Sequence, residues 1–321
     1  MDKETARKGM MLAVKVSLFS NVALFSIKAV SFFIVNSLAV AADLGISGVA
    51  LGISLFLYYA IRMSDKPADA YHNYGYGKIE NVTEAVEGVI LIGLALAMSV
   101  QAAMHLVHPG QVKKPLVGLI ASTCCVMINF WGSRFIYRLG VKHDSPALRA
   151  EGLHFRLEGF ISLSIMSSFV LFMILSRAGL PGVARYIDPV ATLIVSALIT
   201  VPSVRLLKEA FVKLLDASIE ESGQMDIMKV LAAHFDKYCA FENIRTRTAG
   251  RKRFVDFDLV VPREASVGEA YGLAAAVRED IASSLSESEV VIHLVPCAGD
   301  CAFMAEEQAC PYLVPAGPPK P

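Results

Sequence analysis

Two residues four apart, His154 and Glu158 in GLHFRLEGF, stand inside a long apolar run. The i, i+4 spacing puts them on one face of a helix. An imidazole and a carboxylate on one face can share a divalent cation. The same pattern also fits a helix-end histidine beside a Glu158 that pairs with Arg156 or with another helix. A second apolar run, AVAADLGISGVAL, carries Asp43, with Ser47 one turn later. Ionisable groups in such runs are costly in lipid and usually functional. Lys28 and Asp188 read as structural, the first snorkelling or pairing, the second capping a helix.

Between two apolar runs lies the connector DKPADAYHNYGYGKIENV, residues 65–82. Asp69 and His72 are three apart, with Tyr76 four further on. A carboxylate and an imidazole so spaced are ligand-like, though the spacing is common by chance. Lys78 and Glu80 read as a solvated pair. Near the C-terminus stand Cys297, Cys301 and Cys310, but C-x-x-x-C is not a standard zinc spacing. Adjacent Cys124 and Cys125 read as packing residues, and the six cysteines do not form a secreted disulfide framework.

Long apolar elements must position these groups. The 321 residues are 55% hydrophobic and 19% charged, with a mean hydropathy of +0.51. Soluble domains carry about 25% charge. Zero net charge gives no field that would attract nucleic acid. Six runs reach the ~20 residues that a spanning helix needs: 11–34, 38–61, 85–106, 115–138, 153–176 and 188–206. The first is too long for a signal-peptide core and reads as a retained helix after a charged start, 1–10. Six spans leave both termini on one side. With the N-terminus inside, the inner loops hold Lys3, Arg7, Lys8, Arg62, Lys66, Lys78, Lys142 and Arg149. The outer loops hold Lys113, Lys114, Arg177 and Arg185. Eight cations against four place both termini in the cytoplasm.

Charges return from 207. Residues 221–238 and 268–285 have helical spacing. RFVDFDLVV at 253–261 sets Val255, Phe257 and Leu259 on one strand face, and Asp256 and Asp258 on the other. EVVIHL at 289–294 reads as another strand. The order helix, strand, strand, helix, strand over 207–297 predicts a small α+β domain with an antiparallel component. The tail, 298–321, reads as irregular.

Six spans, the connector PADAYHNYGYGKIE, the H-x-x-x-E of span five, LLDAS at 214–218 and VVIHLVPC at 290–297 together resemble the cation diffusion facilitators. The connector is the most specific of these. The resemblance implies a homodimer in the lipid bilayer, each protomer an all-α six-helix transmembrane domain plus a C-terminal cytoplasmic ferredoxin-like αββαβ domain. It implies export of Zn²⁺ or a related divalent ion, commonly in exchange for protons. The implied transport site joins two ligands on span two to two on span five. On span five, His154 and Glu158 take those places. On span two, Asp43 lies three residues before the first place, and the two places fall on Ile46 and Ala50, which bind no metal. The connector's implied second site keeps Asp69 and His72, with Tyr76 as a poor third ligand. Lys78 matches a lysine that interlocks with the aspartate of LLDAS, here Asp216. In the cytoplasmic domain the implied metal places read Glu242, Asp258, Tyr271 and His293, with Val295 where an aspartate is common. Asp258 and His293 are the candidate ligands there.

These residues predict a multi-pass exporter of Zn²⁺, Fe²⁺, Mn²⁺ or Co²⁺ in a bacterial inner membrane, working by alternating access. The ion would bind His154 and Glu158, with Asp43, Ser47 or water completing its shell. A homologue impaired in transport, serving as a metal sensor or scaffold, is the alternative that Ile46 and Ala50 support. An intramembrane metal hydrolase ranks last: no H-E-x-x-H is present, and the protein is not expected to be an enzyme.

Overall fold

Lipid offers no hydrogen-bond partners, so a span must satisfy its own backbone, and a single apolar chain does so as a helix. The computed structural model describes residues 3–35, 38–107, 115–179, 181–184 and 186–298. The side chains of Asp43, Ile46 and Asp188 lie outside that description, as do Cys301 and Cys310. Six helices among the described residues are long and apolar enough to cross a membrane. They are α1 (Lys3–Val35), α2 (Leu38–Ser64), α3 (Ile79–Val107), α4 (Pro115–Lys142), α5 (Pro146–Arg177) and, after the single turn α6 (Pro181–Ala184), α7 (Ile187–Leu214). The helices run past the apolar runs. The third begins at Ile79 rather than 85, the fifth at Pro146 rather than 153, and the last ends at Leu214 rather than 206. Hydropathy marks the part of a helix that lipid covers, whereas backbone hydrogen bonds continue until a turn or cap stops them.

Such a stop begins α5. Asp144 takes a left-handed φ of 53°, and Ser145 caps the helix by accepting from the Leu148 N–H, with Pro146 at the first helical position. Glycines then let α4 and α5 close on each other. A Cβ on Gly152 would stand 2.7 Å from Tyr137 Cβ. Gly88 brings α3 equally near α7, where a Cβ would lie 2.9 Å from Leu207 Cβ. Small residues allow this approach where no hydrophobic force drives helices together. Met10, Val14, Leu57, Ile61, Ile136, Leu148 and Phe155 form an apolar core among α1, α2, α4 and α5.

The chain divides into two units, Met1–Leu214 and Leu215–Pro321. The second contains α8 (Glu221–Ala233), β1 (Ala240–Ala249), β2 (Lys252–Val261), α9 (Val267–Ser284) and β3 (Ser288–Pro296). The sheet order is β1-β2-β3, with β1 antiparallel and β3 parallel to β2. A parallel pair needs a crossover, which α9 supplies. Val255, Phe257 and Leu259 on β2 are buried with Ile227 and Leu231 of α8 and Val277 and Ile281 of α9. The alternation of apolar and acidic residues along β2 is therefore the alternation of covered and open sheet faces. This is the expected α+β domain following six membrane helices.

Candidate metal centre

The α5 helix carries a buried polar stripe. Glu151, His154 and Glu158 are 1%, 3% and 5% exposed. Their spacing of three and four aligns them on one face. Glu158 lies five residues, ~7.5 Å, beyond the start of the apolar run at 153. His154 Nε2 and Glu158 Oε1 approach to 3.4 Å. Among the described residues neither atom has another hydrogen-bond partner. A metal bound to both at the usual ~2.0–2.1 Å would subtend about 110°, close to the tetrahedral angle. The pair is thus spaced for a small transition-metal cation without rearrangement. Lys28 of α1 stands near enough to Glu158 to act on it electrostatically.

The other face of the imidazole meets α3. His154 Nδ1 lies 3.0 Å from Glu87 Oε2. A carboxylate only accepts, so Nδ1 is the donor. Glu87 is fully buried. Glu151 Oε1 accepts from Ser54 Oγ of α2 at 2.8 Å and from Ser17 Oγ of α1. Asn21 donates to Ser54 Oγ at 2.6 Å. Glu151 therefore ties α5 to α1 and α2, and His154 ties it to α3.

Glu87 and Glu151 are absent from the sequence-based candidates, although both lie among apolar residues. Their signal is spacing: Glu80, Glu84 and Glu87 recur at four and three, and Glu151 and His154 at three. All three glutamates of α3 are buried. Glu80 accepts from Ser145 Oγ, and Glu84 pairs with Lys213 Nζ of α7 at 2.8 Å.

On α2, Ala50 is buried and Ser47 Oγ is buried without a partner among the described residues. Among the described residues, no three His, Cys, Asp or Glu side chains converge tightly enough to enclose a metal. What α5 offers is one facing imidazole–carboxylate pair.

In the connector, Asp69 organises a turn. Its Oδ1 accepts from the backbone N–H groups of Tyr71 and His72 at 2.9 and 2.8 Å, and its Oδ2 accepts from the Tyr76 hydroxyl at 2.6 Å. The Tyr76 hydroxyl foremost, and then the His72 N–H, hold the Asp69 carboxyl down to about 2, and the same contact raises the Tyr76 phenol. The His72 ring lies 4.2 Å from the Tyr76 ring. Both oxygens of Asp69 are thus engaged by the loop itself. Lys78 Nζ donates to Leu214 O at 3.2 Å, and Asp216 faces Arg247 at 3.6 Å.

On the sheet, Glu242, Asp258 and His293 stand in one register row across the three strands. The side chains of Asp258 and His293 are drawn to other partners. Asp258 accepts from Asn243 at 2.6 Å, and His293 Nε2 pairs with Asp256 at 2.9 Å.

The cation efflux transmembrane domain matches residues 14–215, and the cytoplasmic domain of cation efflux proteins matches 219–297. The chain belongs to this family, the cation diffusion facilitators. An uncharacterized transporter of Synechocystis sp. is 25% identical over 91% of this chain and 92% of its own length. The cation-efflux pumps FieF of Cronobacter sakazakii and Escherichia coli are each 26% identical, over 86% of this chain and 89% of theirs. A solved chain of CzrB in a zinc form is 24% identical, with a TM-score of 0.25, covering 26% of this chain and 94% of that one. The protein is a multi-pass membrane protein of a cation efflux family.

Proposed function

We propose that the protein exports a divalent transition-metal cation from the cytoplasm in exchange for protons, as a homodimer with both termini cytoplasmic. The observation that carries this reading is the facing pair His154 Nε2 and Glu158 Oε1, buried and 3.4 Å apart, with no other hydrogen-bond partner among the described residues. One imidazole nitrogen and one carboxylate suit Zn²⁺, Fe²⁺, Mn²⁺ or Co²⁺. Relatives named as cation-efflux pumps support the outward direction. Metal binding requires a free Nε2 lone pair and an ionised Glu158, so arrival of the ion displaces protons held there, and its departure lets them return. Rocking of helices would open the site to each side in turn. Water and the residues of α2 near Asp43 and Ser47 complete the ion's shell. Asp69 with His72, and Asp258 with His293, are proposed as accessory sites.

The test is metal uptake into proteoliposomes under a pH gradient, with the four ions run in parallel. Flux of one ion by the wild type and background flux by His154→Ala/Glu158→Ala are expected. No flux of any ion from folded wild-type protein would overturn the reading. A second reading, a sensor or scaffold, draws on the one facing imidazole–carboxylate pair and the apolar Ala50. A scaffold would retain its function in the same double variant.

A further inference from the structure

We infer that Glu87 of α3 is a positioning residue for the metal-binding imidazole of His154. The inference rests on the metal-transport reading and adds a third helix to its site. A histidine has two rotatable side-chain bonds, and its ring must present one nitrogen to the ion. Metal-binding histidines are fixed by giving their other N–H to a carboxylate or carbonyl, and loss of that partner weakens metal affinity by ~10–100-fold. Here the geometry of such a partner is complete. Nδ1 lies 3.0 Å from Glu87 Oε2, and Nε2 is left facing Glu158 Oε1 with no other hydrogen-bond partner among the described residues. Both residues are at least 97% buried, at 0% and 3% exposed, so no solvent competes for Nδ1.

Gly88, the next residue, brings α3 against α7 at Leu207. The carboxylate therefore sits on a helix packed closely against its neighbour. Glu87 is not placed as a ligand to the same ion, because it contacts the ring edge opposite Nε2.

The experiment measures Co²⁺ binding to the purified full-length protein, by the cobalt d–d spectrum and by equilibrium titration, alongside Co²⁺ flux in proteoliposomes. The variants are Glu87→Leu, Glu87→Gln and each of these with His154→Ala. Glutamine keeps an oxygen that accepts from Nδ1. Glu87→Leu should weaken binding ~10–100-fold and alter the spectrum, whereas Glu87→Gln should restore affinity to within ~10-fold of wild type. In the His154→Ala background neither change should weaken binding further, because both act through the same imidazole. Equal loss in the Gln and Leu variants, or additive loss in the double variants, would overturn the inference and make Glu87 a ligand. Wild-type affinity in Glu87→Leu would overturn it as well. Wild-type protein that binds no Co²⁺ and moves none would instead refute the metal-site reading, and the inference with it.

Discussion

His154 and Glu158 face each other across one turn of α5 with 3.4 Å between Nε2 and Oε1, and neither atom has another hydrogen-bond partner among the described residues. Buried polar atoms left so cost free energy in any protein. A cation bound between them, as proposed above, would offset that cost. The spacing is also sensitive. Glu158→Asp draws the carboxylate back by up to ~1.5 Å, one carbon–carbon bond. The gap then exceeds what two ~2.1 Å bonds can bridge at a tetrahedral angle. Affinity should fall ~10-fold, or ~1.4 kcal/mol. Competition against a fluorescent metal indicator would measure it, and unchanged affinity would count against the pair as ligands.

Glu151 depends on hydroxyl donors from two other helices. Ser17→Ala/Ser54→Ala leaves Glu151 Oε1 buried without either hydroxyl. The double variant should lose ~1–3 kcal/mol of stability, the range for a buried acceptor left unpaired. Denaturation in mixed micelles reads this directly. Wild-type stability would mean that water replaces the serines.

Gly152 lies at a close contact of α4 with α5, where its Cβ would stand 2.7 Å from Tyr137 Cβ and 2.8 Å from backbone atoms. Backbone cannot swing aside as a side-chain tip can. Gly152→Ala should destabilise the membrane unit by ~1–3 kcal/mol through overpacking. It should also weaken metal binding, since His154 is two residues away. A thermal melt in detergent, with the metal titration repeated, tests both. A Tm equal to wild type would show that the helices can separate without cost.

The connector gives a pH dependence with a definite sign. Asp69 is held at about 2 by the Tyr76 hydroxyl and the His72 N–H, below the ~3.9 of a free aspartate. A depressed carboxylate contributes order above its unfolded value and loses it as pH falls through the folded one. The turn should therefore stay ordered at pH 4 and open between about pH 4 and 2. Tyr76→Phe removes the largest cause and should move the midpoint upward. Carboxyl ¹³C NMR of aspartate-labelled protein would follow it, and an unmoved midpoint would discount the Tyr76 contact.

Much of this protein is legible along the chain. Six helices could be read from hydropathy because lipid permits a single apolar segment little else. Their ends could not. Glu80 and Glu84 lie on α3 before the expected start of the third span, and Glu151 lies on α5 before the expected start of the fifth. Apolar content reports lipid contact, while the cap at Ser145 and the turn at Asp144 decide where α5 begins. On β2, alternation alone assigned Val255, Phe257 and Leu259 to the core, since a strand has only two faces.

The metal locus divides along the same line. His154 and Glu158 belong together by local geometry: one turn of one helix brings them onto one face whatever surrounds it, so the sequence determined that pair by itself. Glu87 is 67 residues from His154, and Ser17 and Ser54 are 134 and 97 from Glu151. No periodicity links such positions. Only the lateral packing of α1, α2 and α3 against α5, set by glycines and side-chain shape, decided which carboxylate holds the imidazole and which hydroxyls hold the carboxyl behind it.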